Sequence, residues 1–99
     1  MVESRLSTEA GRQYASVYDA QHKIKEMIEI IARALVDEPA LVSVSEVGGM
    51  HTLILELKVA KADIGKVIGK QGRTAGALRT LLSAVSAKEK KRTMLEIMD

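Results

Sequence analysis

Two glycines separated by two polar residues, Gly69-Lys70-Gln71-Gly72, lie between two stretches of helical character, and this spacing constrains the fold more than any other feature. A short apolar helix is predicted to end at Gly69, because glycine can take the left-handed conformation that closes a helix without the steric cost of a β-carbon. A second helical pattern begins after Gly72. The sequence therefore predicts a tight, bare turn between two helices, with Lys70 and Gln71 pointing outward.

Basic side chains surround this turn: Lys66 precedes it, Lys70 lies within it and Arg73 follows it. Residues 61–92 contain nine Lys or Arg and two acidic residues, a local net charge of +7, although the whole chain carries only +2. Positive charge beside the backbone N–H groups of a helix start suits a phosphodiester backbone. The four basic residues between 88 and 92 are equally well explained as solvated charges that complement the end of a helix.

Helical periodicity predicts three helices. The first is amphipathic and ends before Pro39, the only proline of the chain. The second is short, over residues 62–68, and the third runs from residue 73 to about residue 88. The predicted buried stripe of the first helix consists of Ile24, Met27, Ile28, Ile31, Ala34 and Leu35. That of the third helix consists of Leu78, Leu81, Leu82 and Val85.

Alternation of polar and apolar residues predicts three strands, over residues 41–47, 52–59 and 92–98. Gly48-Gly49 joins the first two as a hairpin. In the second strand, Leu53, Leu55, Leu57 and Val59 share one face, and in the third Leu95 and Ile97 are expected to point inward. A single apolar face on each strand and helix is typical of a two-layer α+β domain.

Ninety-nine residues provide one domain, predicted to occupy residues 21–99. Residues 1–20 are predicted to form an extension that is mobile or ordered by a partner, and they match neither a secretory signal nor a membrane span. The chain has no cysteine, so it can form neither a disulfide nor a thiolate metal site. We therefore expect a cytoplasmic protein with no membrane span, no metal and no cofactor.

The run Gly65-Lys66-Val67-Ile68-Gly69-Lys70-Gln71-Gly72-Arg73-Thr74, followed by Ala77-Leu78-Arg79, resembles the signature of the bacterial KhpA (YlqC-type) family of small single-KH-domain proteins. The resemblance covers roughly residues 24 to 97. It implies a type II (prokaryotic) KH fold, in the order helix, strand, strand, helix, GXXG loop, helix, strand. It also implies a three-stranded mixed sheet covered on one face by three helices.

The function implied by the resemblance is binding of single-stranded RNA, with the GXXG loop as a clamp on about four nucleotides. The protein would act as a homodimer or with a KH protein of the Jag/KhpB (EloR) type. Its cellular role would be post-transcriptional regulation or RNA chaperoning linked to cell elongation and division. The expected RNA-binding residues are Ile64, Lys66, Ile68, Gly69, Lys70, Gln71, Gly72, Arg73 and Arg79.

Bases would enter an apolar groove bordered by Ile64, Val67 or Ile68 and by the second strand, although at least two of these three residues fit plain core positions better. The chain has no Phe or Trp, and its only tyrosines, Tyr14 and Tyr18, lie in the extension. Stacking platforms for bases are therefore absent from the predicted domain. A single unit should bind weakly, and tighter binding needs a second unit.

The sequence also disfavours catalysis. Residues 65–70 lack the spacing of a phosphate loop, and Gln71 stands where such a loop has Ser or Thr. The sequence also offers no nucleophile–His–acid set. The remaining alternative is an adaptor that uses the KH fold for protein interaction or dimerisation with little RNA contact. The +7 cluster favours RNA binding over this alternative.

Overall fold

The computed structural model of the protein describes residues 22–99, and three strands of this part form a mixed sheet. The strands are β1 (Ser43–Gly48), β2 (Thr52–Lys58) and β3 (Arg92–Ile97). They lie in the order β1-β2-β3, with β1 antiparallel and β3 parallel to the central β2. The predicted extension over residues 1–20 lies outside the described residues.

Helix α1 covers residues 22–35, α2 spans Ile64–Ile68 and α3 spans Arg73–Glu89. Short 3-10 turns at Pro39–Leu41, Lys61–Asp63 and Lys70–Gly72 connect the elements. The element order and the mixed sheet are those of a type II KH fold, and they confirm the predicted fold class. The predicted boundaries of α3 and of the three strands differ from the observed ones by two residues or fewer.

One face of the sheet packs against the helices and forms the core. Leu53, Leu55 and Leu57 of β2 are buried there, as their alternation predicted, and Val59 is buried just beyond the strand end. The residues that meet them from the helices, the neighbouring strands and the segments just beside these are Ile24, Ile28, Ala32, Val36, Val42, Val44, Val67, Leu78, Leu82 and Leu95. Removal of this apolar surface from water is the main stabilising contribution to the fold.

The predicted stripes of α1 and α3 were correct at their centres and wrong at three flanking positions. Ala34 and Leu35 are exposed, because α1 packs along a ridge of residues four apart that buries Ala32 instead. Leu35 is the last residue of α1 and is 38% exposed. Leu81 of α3 is 48% exposed, whereas Ala75 is buried.

The orientation of α3 explains why Leu81 is exposed. The hydroxyl of Ser86 accepts the backbone N–H of Thr93 at 2.7 Å, and Arg79 Nη2 donates to the carbonyl oxygen of Leu95 at 3.4 Å. Both contacts draw the Arg79–Ser86 side of α3 against β3. Because Leu81 lies on the opposite flank of the buried stripe, this rotation leaves it in solvent.

Candidate nucleic-acid interface

The loop between α2 and α3 has left-handed φ angles at three of its four residues. Gly69 adopts φ 80° and ψ 168°, Gln71 φ 56° and ψ 27°, and Gly72 φ 72° and ψ 14°. The predicted positive φ of Gly69 is confirmed, but its ψ is extended rather than that of the left-handed helical region. The chain therefore leaves α2 abruptly and makes a separate 3-10 turn before α3 begins.

Each glycine is needed for a different reason. A β-carbon on Gly69 would lie 2.8 Å from Thr74 Cβ and 2.9 Å from the Thr74 backbone nitrogen, so packing within the loop requires glycine there. A β-carbon on Gly72 would meet no atom within 4 Å, and only its φ favours glycine. The space above Gly72 is therefore open to an approaching ligand.

Two backbone N–H groups that the sequence suggested for phosphate binding are already used inside the loop. The N–H of Gly72 donates to the carbonyl oxygen of Gly69 at 3.1 Å, and the N–H of Arg73 donates to the carbonyl oxygen of Lys70. These bonds hold the turn in shape. The positive character of the loop surface thus comes mainly from its side chains.

Lys70, Gln71 and Arg73 are all exposed and together line an open depression of about 320 Å³. Arg73 Nη2 donates to Gln71 Oε1 at 3.3 Å, so the amide orients the guanidinium. Within residues 22–99, the ion pairs involve neither Lys70 nor Arg73. Two cations without an acidic partner in the described chain therefore stand beside the open space over Gly72.

Lys66 is placed differently from the other predicted cations. Its ammonium group pairs with the carboxylate of Asp37 and lies 3.4 Å from Oδ1 of Asp63. The hydrogen bond to Asp37, with the further contact to Asp63, raises the pKa of Lys66 above its ordinary value. The charge of Lys66 is thus engaged within the protein, and the structure does not bring it into the cluster formed by Lys70 and Arg73.

Asp63, at the start of α2, is a buried carboxylate that sequence reasoning missed. Burial alone would raise its pKa, but hydrogen bonds from the backbone N–H groups of Glu38 and Asp37 and from Lys66 outweigh burial and lower it. Its Oδ2 lies 3.1 Å from the Glu38 nitrogen. An Asp before a helix suggests a side-chain cap in sequence. Here it makes no cap hydrogen bond and instead joins α2 to the segment before β1.

The apolar residues near the loop are mostly part of the core. Val67 is fully buried, Ile64 packs partly buried against the core, and Ile68 is 38% exposed. Of these three residues, Ile68 alone presents substantial apolar surface next to the loop. β2 lies between β1 and β3 and is hydrogen-bonded on both sides, and its place at the border of a groove stays a prediction.

A groove is found between α3 and β3, which is an edge strand of the sheet. Its volume is about 300 Å³, and it is lined by Arg79, Ser83, Ser86, Arg92, Thr93, Met94 and Leu95. Arg79, one of the predicted RNA-binding residues, therefore lies in this groove. Arg79 lies six positions after Arg73 in α3, so the two are roughly 9 Å apart along the helix axis.

Comparison with known protein families agrees with this arrangement. The model of the KhpA/KhpB KH domain matches residues 25–97, which include every helix and strand after the first turn of α1. The chain belongs to the KhpA/KhpB family of KH domains. This family is not an enzyme family, in agreement with the expectation from sequence.

Several curated KhpA proteins are similar to the chain over most of its length. One from Caldanaerobacter subterraneus subsp. tengcongensis is 56% identical over 73 residues, which cover 74% of this chain and 97% of that protein. One from Clostridium perfringens is 55% identical over 75 residues, covering 76% and 100%. One from Chlamydia pneumoniae is 53% identical over 76 residues, covering 77% and 97%. All three are named RNA-binding protein KhpA. No solved structure gave a significant match.

Within residues 22–99, no group of three or more His, Cys, Asp or Glu side chains is arranged to hold a metal ion. The helices of the same part of the chain are too short or too polar to cross a membrane.

Proposed function

We propose that this KH domain binds single-stranded RNA and that loop 69–72 clamps the RNA backbone. The observation that carries the proposal is the open space over Gly72 beside two exposed cations, Lys70 and Arg73, with which no acidic side chain of residues 22–99 pairs. Family membership and the name of the relatives, RNA-binding protein KhpA, support the same ligand.

The backbone of the RNA passes over Gly72, where no side chain blocks it. Lys70 and Arg73 offset the charge of two neighbouring phosphates, and Gln71 both orients Arg73 and offers an amide to the ligand. Lys66 contributes less, because Asp37 and Asp63 already neutralise it.

The bases turn toward Ile68 and toward the groove between α3 and β3, where Arg79 and Arg92 supply further positive charge. Ser83 offers a hydroxyl for hydrogen bonding in the same groove. Because the chain has no Phe or Trp, recognition rests on van der Waals contact, hydrogen bonds and phosphate electrostatics. One domain therefore binds RNA weakly.

Weak binding by one domain is compensated by a second RNA-binding unit. The protein acts as a homodimer or together with a Jag/KhpB (EloR) type KH protein. In the cytoplasm this assembly serves post-transcriptional regulation or RNA chaperoning linked to cell elongation and division, the role that the family resemblance implies.

The decisive experiment replaces both outward loop residues, as Lys70→Asp with Gln71→Asp, and measures binding to a fluorescent single-stranded RNA of about ten nucleotides. Asp is compatible with the left-handed backbone at position 71, so the fold should be retained. We expect at least a tenfold loss of affinity. A matched control, Lys23→Asp with Ala34→Asp on the exposed face of α1, changes the net charge equally and should retain binding.

Equal affinity of the loop variant and the wild type would contradict the clamp. Absence of measurable RNA binding by the wild type, at low salt and high protein concentration, would favour an adaptor that uses the KH fold for protein contact alone. Circular dichroism of each variant ensures that a loss of binding does not reflect unfolding.

A further inference from the structure

Lys66 lies between two carboxylates that differ in how firmly they are held. The side chain of Asp63 is 3% exposed, and its Oδ2 accepts the backbone N–H of Glu38 at 3.1 Å. The side chain of Asp37, which pairs with the same ammonium group, is 79% exposed. Asp63 is therefore a fixed partner of Lys66, whereas the carboxylate of Asp37 can turn away into solvent without opening the core.

The segment after α1 brings Asp37 to Lys66. α1 ends at residue 35, and the 3-10 turn that begins at Pro39 leads into β1. Between them, the backbone N–H groups of residues 37 and 38 both donate to the carboxylate of Asp63. Because the backbone is held there, the Asp37 carboxylate stays beside Lys66 as an intramolecular partner at high effective concentration.

The ammonium group of Lys66 is otherwise well placed to contact RNA. Lys66 is 42% exposed and lies three positions before Gly69, a rise of roughly 4.5 Å along α2. A lysine carries its charge on a flexible four-carbon stem, so this group can reach a phosphate next to those at loop 69–72. With Asp37 and Asp63 both on it, the same place instead carries a net negative charge.

We propose that Asp37 competes with RNA phosphate for Lys66 and thereby limits the affinity of the domain for RNA. In the free domain, the Asp37 carboxylate occupies the place that a phosphate would take on the ammonium group. This contact withholds a third cation from the RNA, beside Lys70 and Arg73. It also puts a negative charge next to the path of the RNA backbone, where it repels phosphate groups.

The size of the effect follows from the exposure of the contact. An ion pair in solvent is weak, because water and salt screen it, so Asp37 reduces the affinity by a modest factor and does not abolish binding. One further phosphate contact to single-stranded RNA adds about 0.7 to the slope of log affinity against log salt. By this slope, one added contact is worth about eightfold in affinity at 50 mM salt and little at 1 M.

A purely structural contact between α2 and the segment after α1 would behave differently. Removal of Asp37 would then lower the stability of the fold and leave the affinity for RNA unchanged or reduced. Competition predicts the opposite result, in which loss of a side chain that stabilises the fold improves binding of the ligand.

The inference rests on the proposed binding of RNA by loop 69–72, and Asp37→Asn tests it. The substitution removes the charge but keeps the size of the side chain and the backbone N–H that Asp63 accepts. Fluorescence anisotropy with one single-stranded RNA of about ten nucleotides should show about eightfold tighter binding at 50 mM salt. The salt slope should steepen by about 0.7, and the gain should disappear near 1 M salt.

Glu38→Gln is the matched control. It makes the same change of net charge one position away, and within residues 22–99 the Glu38 side chain forms no ion pair. Its affinity should stay within about twofold of the wild type, with an unchanged slope. The double variant Asp37→Asn with Lys66→Gln should bind no more tightly than Lys66→Gln alone, because the gain requires the ammonium group.

A measurement without RNA checks the contact itself. The pKa of Lys66, followed through the carbon-13 chemical shift of its Cε in a pH titration, is raised in the wild type by the hydrogen bond to Asp37 and the contact to Asp63. It should fall in Asp37→Asn and stay raised in Glu38→Gln. An equal pKa in Asp37→Asn and the wild type would overturn the inference, because Asp37 would then not hold the ammonium group.

The two proposals fail in different ways. Failure of the wild type to bind RNA would refute the proposed function and the competition together. Binding by the wild type that Lys70→Asp with Gln71→Asp abolishes, together with unchanged affinity of Asp37→Asn, would refute the competition alone. Equal gains in Asp37→Asn and Glu38→Gln would also overturn it, because the effect would then reflect net charge and not the pairing with Lys66.

Discussion

The carboxylate of Asp63 accepts the backbone N–H of Glu38 at 3.1 Å, although 25 residues separate the two in sequence. Asp63 is 2% exposed and precedes α2 directly, so this contact ties the helix that leads into loop 69–72 to the segment before β1. Lys66, one turn further along α2, completes the contact by pairing with Asp37 and Asp63. The loop is thus held from its inner end by a buried carboxylate and not by apolar packing alone.

The stability of the folded protein at acid pH should depend on Asp63. Its pKa is lowered in the folded protein, because backbone hydrogen bonds and Lys66 outweigh the effect of burial. A carboxyl whose folded pKa is depressed stabilises the fold above its unfolded value of about 3.8, and this contribution is lost as the pH falls through the folded pKa. Asp63→Asn should therefore be less stable than the wild type at pH 7, and the difference should shrink below about pH 4 in urea unfolding experiments.

The exposed residue Glu46 provides the control, since Glu46→Gln removes a carboxylate from the end of β1 and should leave the acid dependence unchanged. A constant difference between Asp63→Asn and the wild type from pH 7 to pH 2 would show that the ionised carboxylate does not contribute.

The two loop glycines should differ in their tolerance of alanine. Gly69 combines a positive φ with an extended ψ and lies against Thr74, so Gly69→Ala introduces both backbone strain and a steric clash and should cost about 3 kcal/mol. Gly72 has a left-handed φ but open space around it, so Gly72→Ala should cost about 1–2 kcal/mol. Thermal or urea unfolding of the two variants measures the difference.

Gly76 supplies a matched reference inside α3, where a β-carbon would meet no atom within 4 Å. Gly76→Ala should stabilise the protein by about 0.5–1 kcal/mol, because alanine is the better helix former. The order of stability should therefore be Gly76→Ala, wild type, Gly72→Ala, Gly69→Ala. If Gly69→Ala were the milder of the two loop substitutions, the contact with Thr74 would not be what requires glycine.

Sequence periodicity was sufficient to predict the helices, the strands and the buried faces of β2 and β3, because these depend on residues close together in the chain. The alternation of β2 and the turn at residues 69–72 are local properties, and both predictions are confirmed. The exposure of Leu81 is not determined by its neighbours in the sequence. It follows from a rotation of α3 that is fixed by Ser86 against Thr93 and by Arg79 against Leu95.

In the candidate site, too, the sequence predicted local features correctly and missed those that depend on long-range packing. Lys70 and Gln71 were predicted correctly as exposed, because they belong to a short turn whose geometry its two glycines dictate. The pairing of Lys66 with Asp37 spans 29 residues and depends on how α2 packs against the segment after α1. Nothing in the spacing of charges along the chain distinguishes such a neutralised lysine from a free one.

The salt dependence of RNA binding should distinguish Lys70 and Arg73, which form no ion pair within residues 22–99, from Lys66, which pairs with Asp37 and Asp63. Each phosphate contact to single-stranded RNA contributes about 0.7 to the slope of log affinity against log salt. Lys70→Gln and Arg73→Gln should each reduce the slope by about this amount and weaken binding at low salt. Lys66→Gln should change the slope by less than half as much, because Asp37 and Asp63 already neutralise the ammonium.

Fluorescence anisotropy with one RNA at four or more salt concentrations gives the slopes. Lys58→Gln on the far side of the sheet is the control and should leave the slope unchanged. A larger effect of Lys66→Gln than of Lys70→Gln would mean that the RNA displaces Asp37, and the ranking of cations proposed above would have to be reversed.

The rotation of α3 can be tested at two adjacent leucines of the same helix. Leu82 is 1% exposed within the core, so Leu82→Ala removes buried methyl groups and leaves a cavity, at a cost of about 3 kcal/mol. Leu81 is 48% exposed, so Leu81→Ala should cost less than about 1 kcal/mol, although its spacing from Leu78 and Val85 predicts an equally buried residue. Urea unfolding of both variants at one pH gives the ratio of the two costs.

Equal costs would mean that Leu81 is covered in solution, either by a rotation of α3 away from β3 or by residues outside 22–99. A rotation of α3 would break the contacts of Arg79 and Ser86 with β3, and the amide proton of Thr93 would then exchange quickly with solvent. Slow amide exchange at Thr93 would exclude the rotation, because the Ser86 hydroxyl protects that N–H.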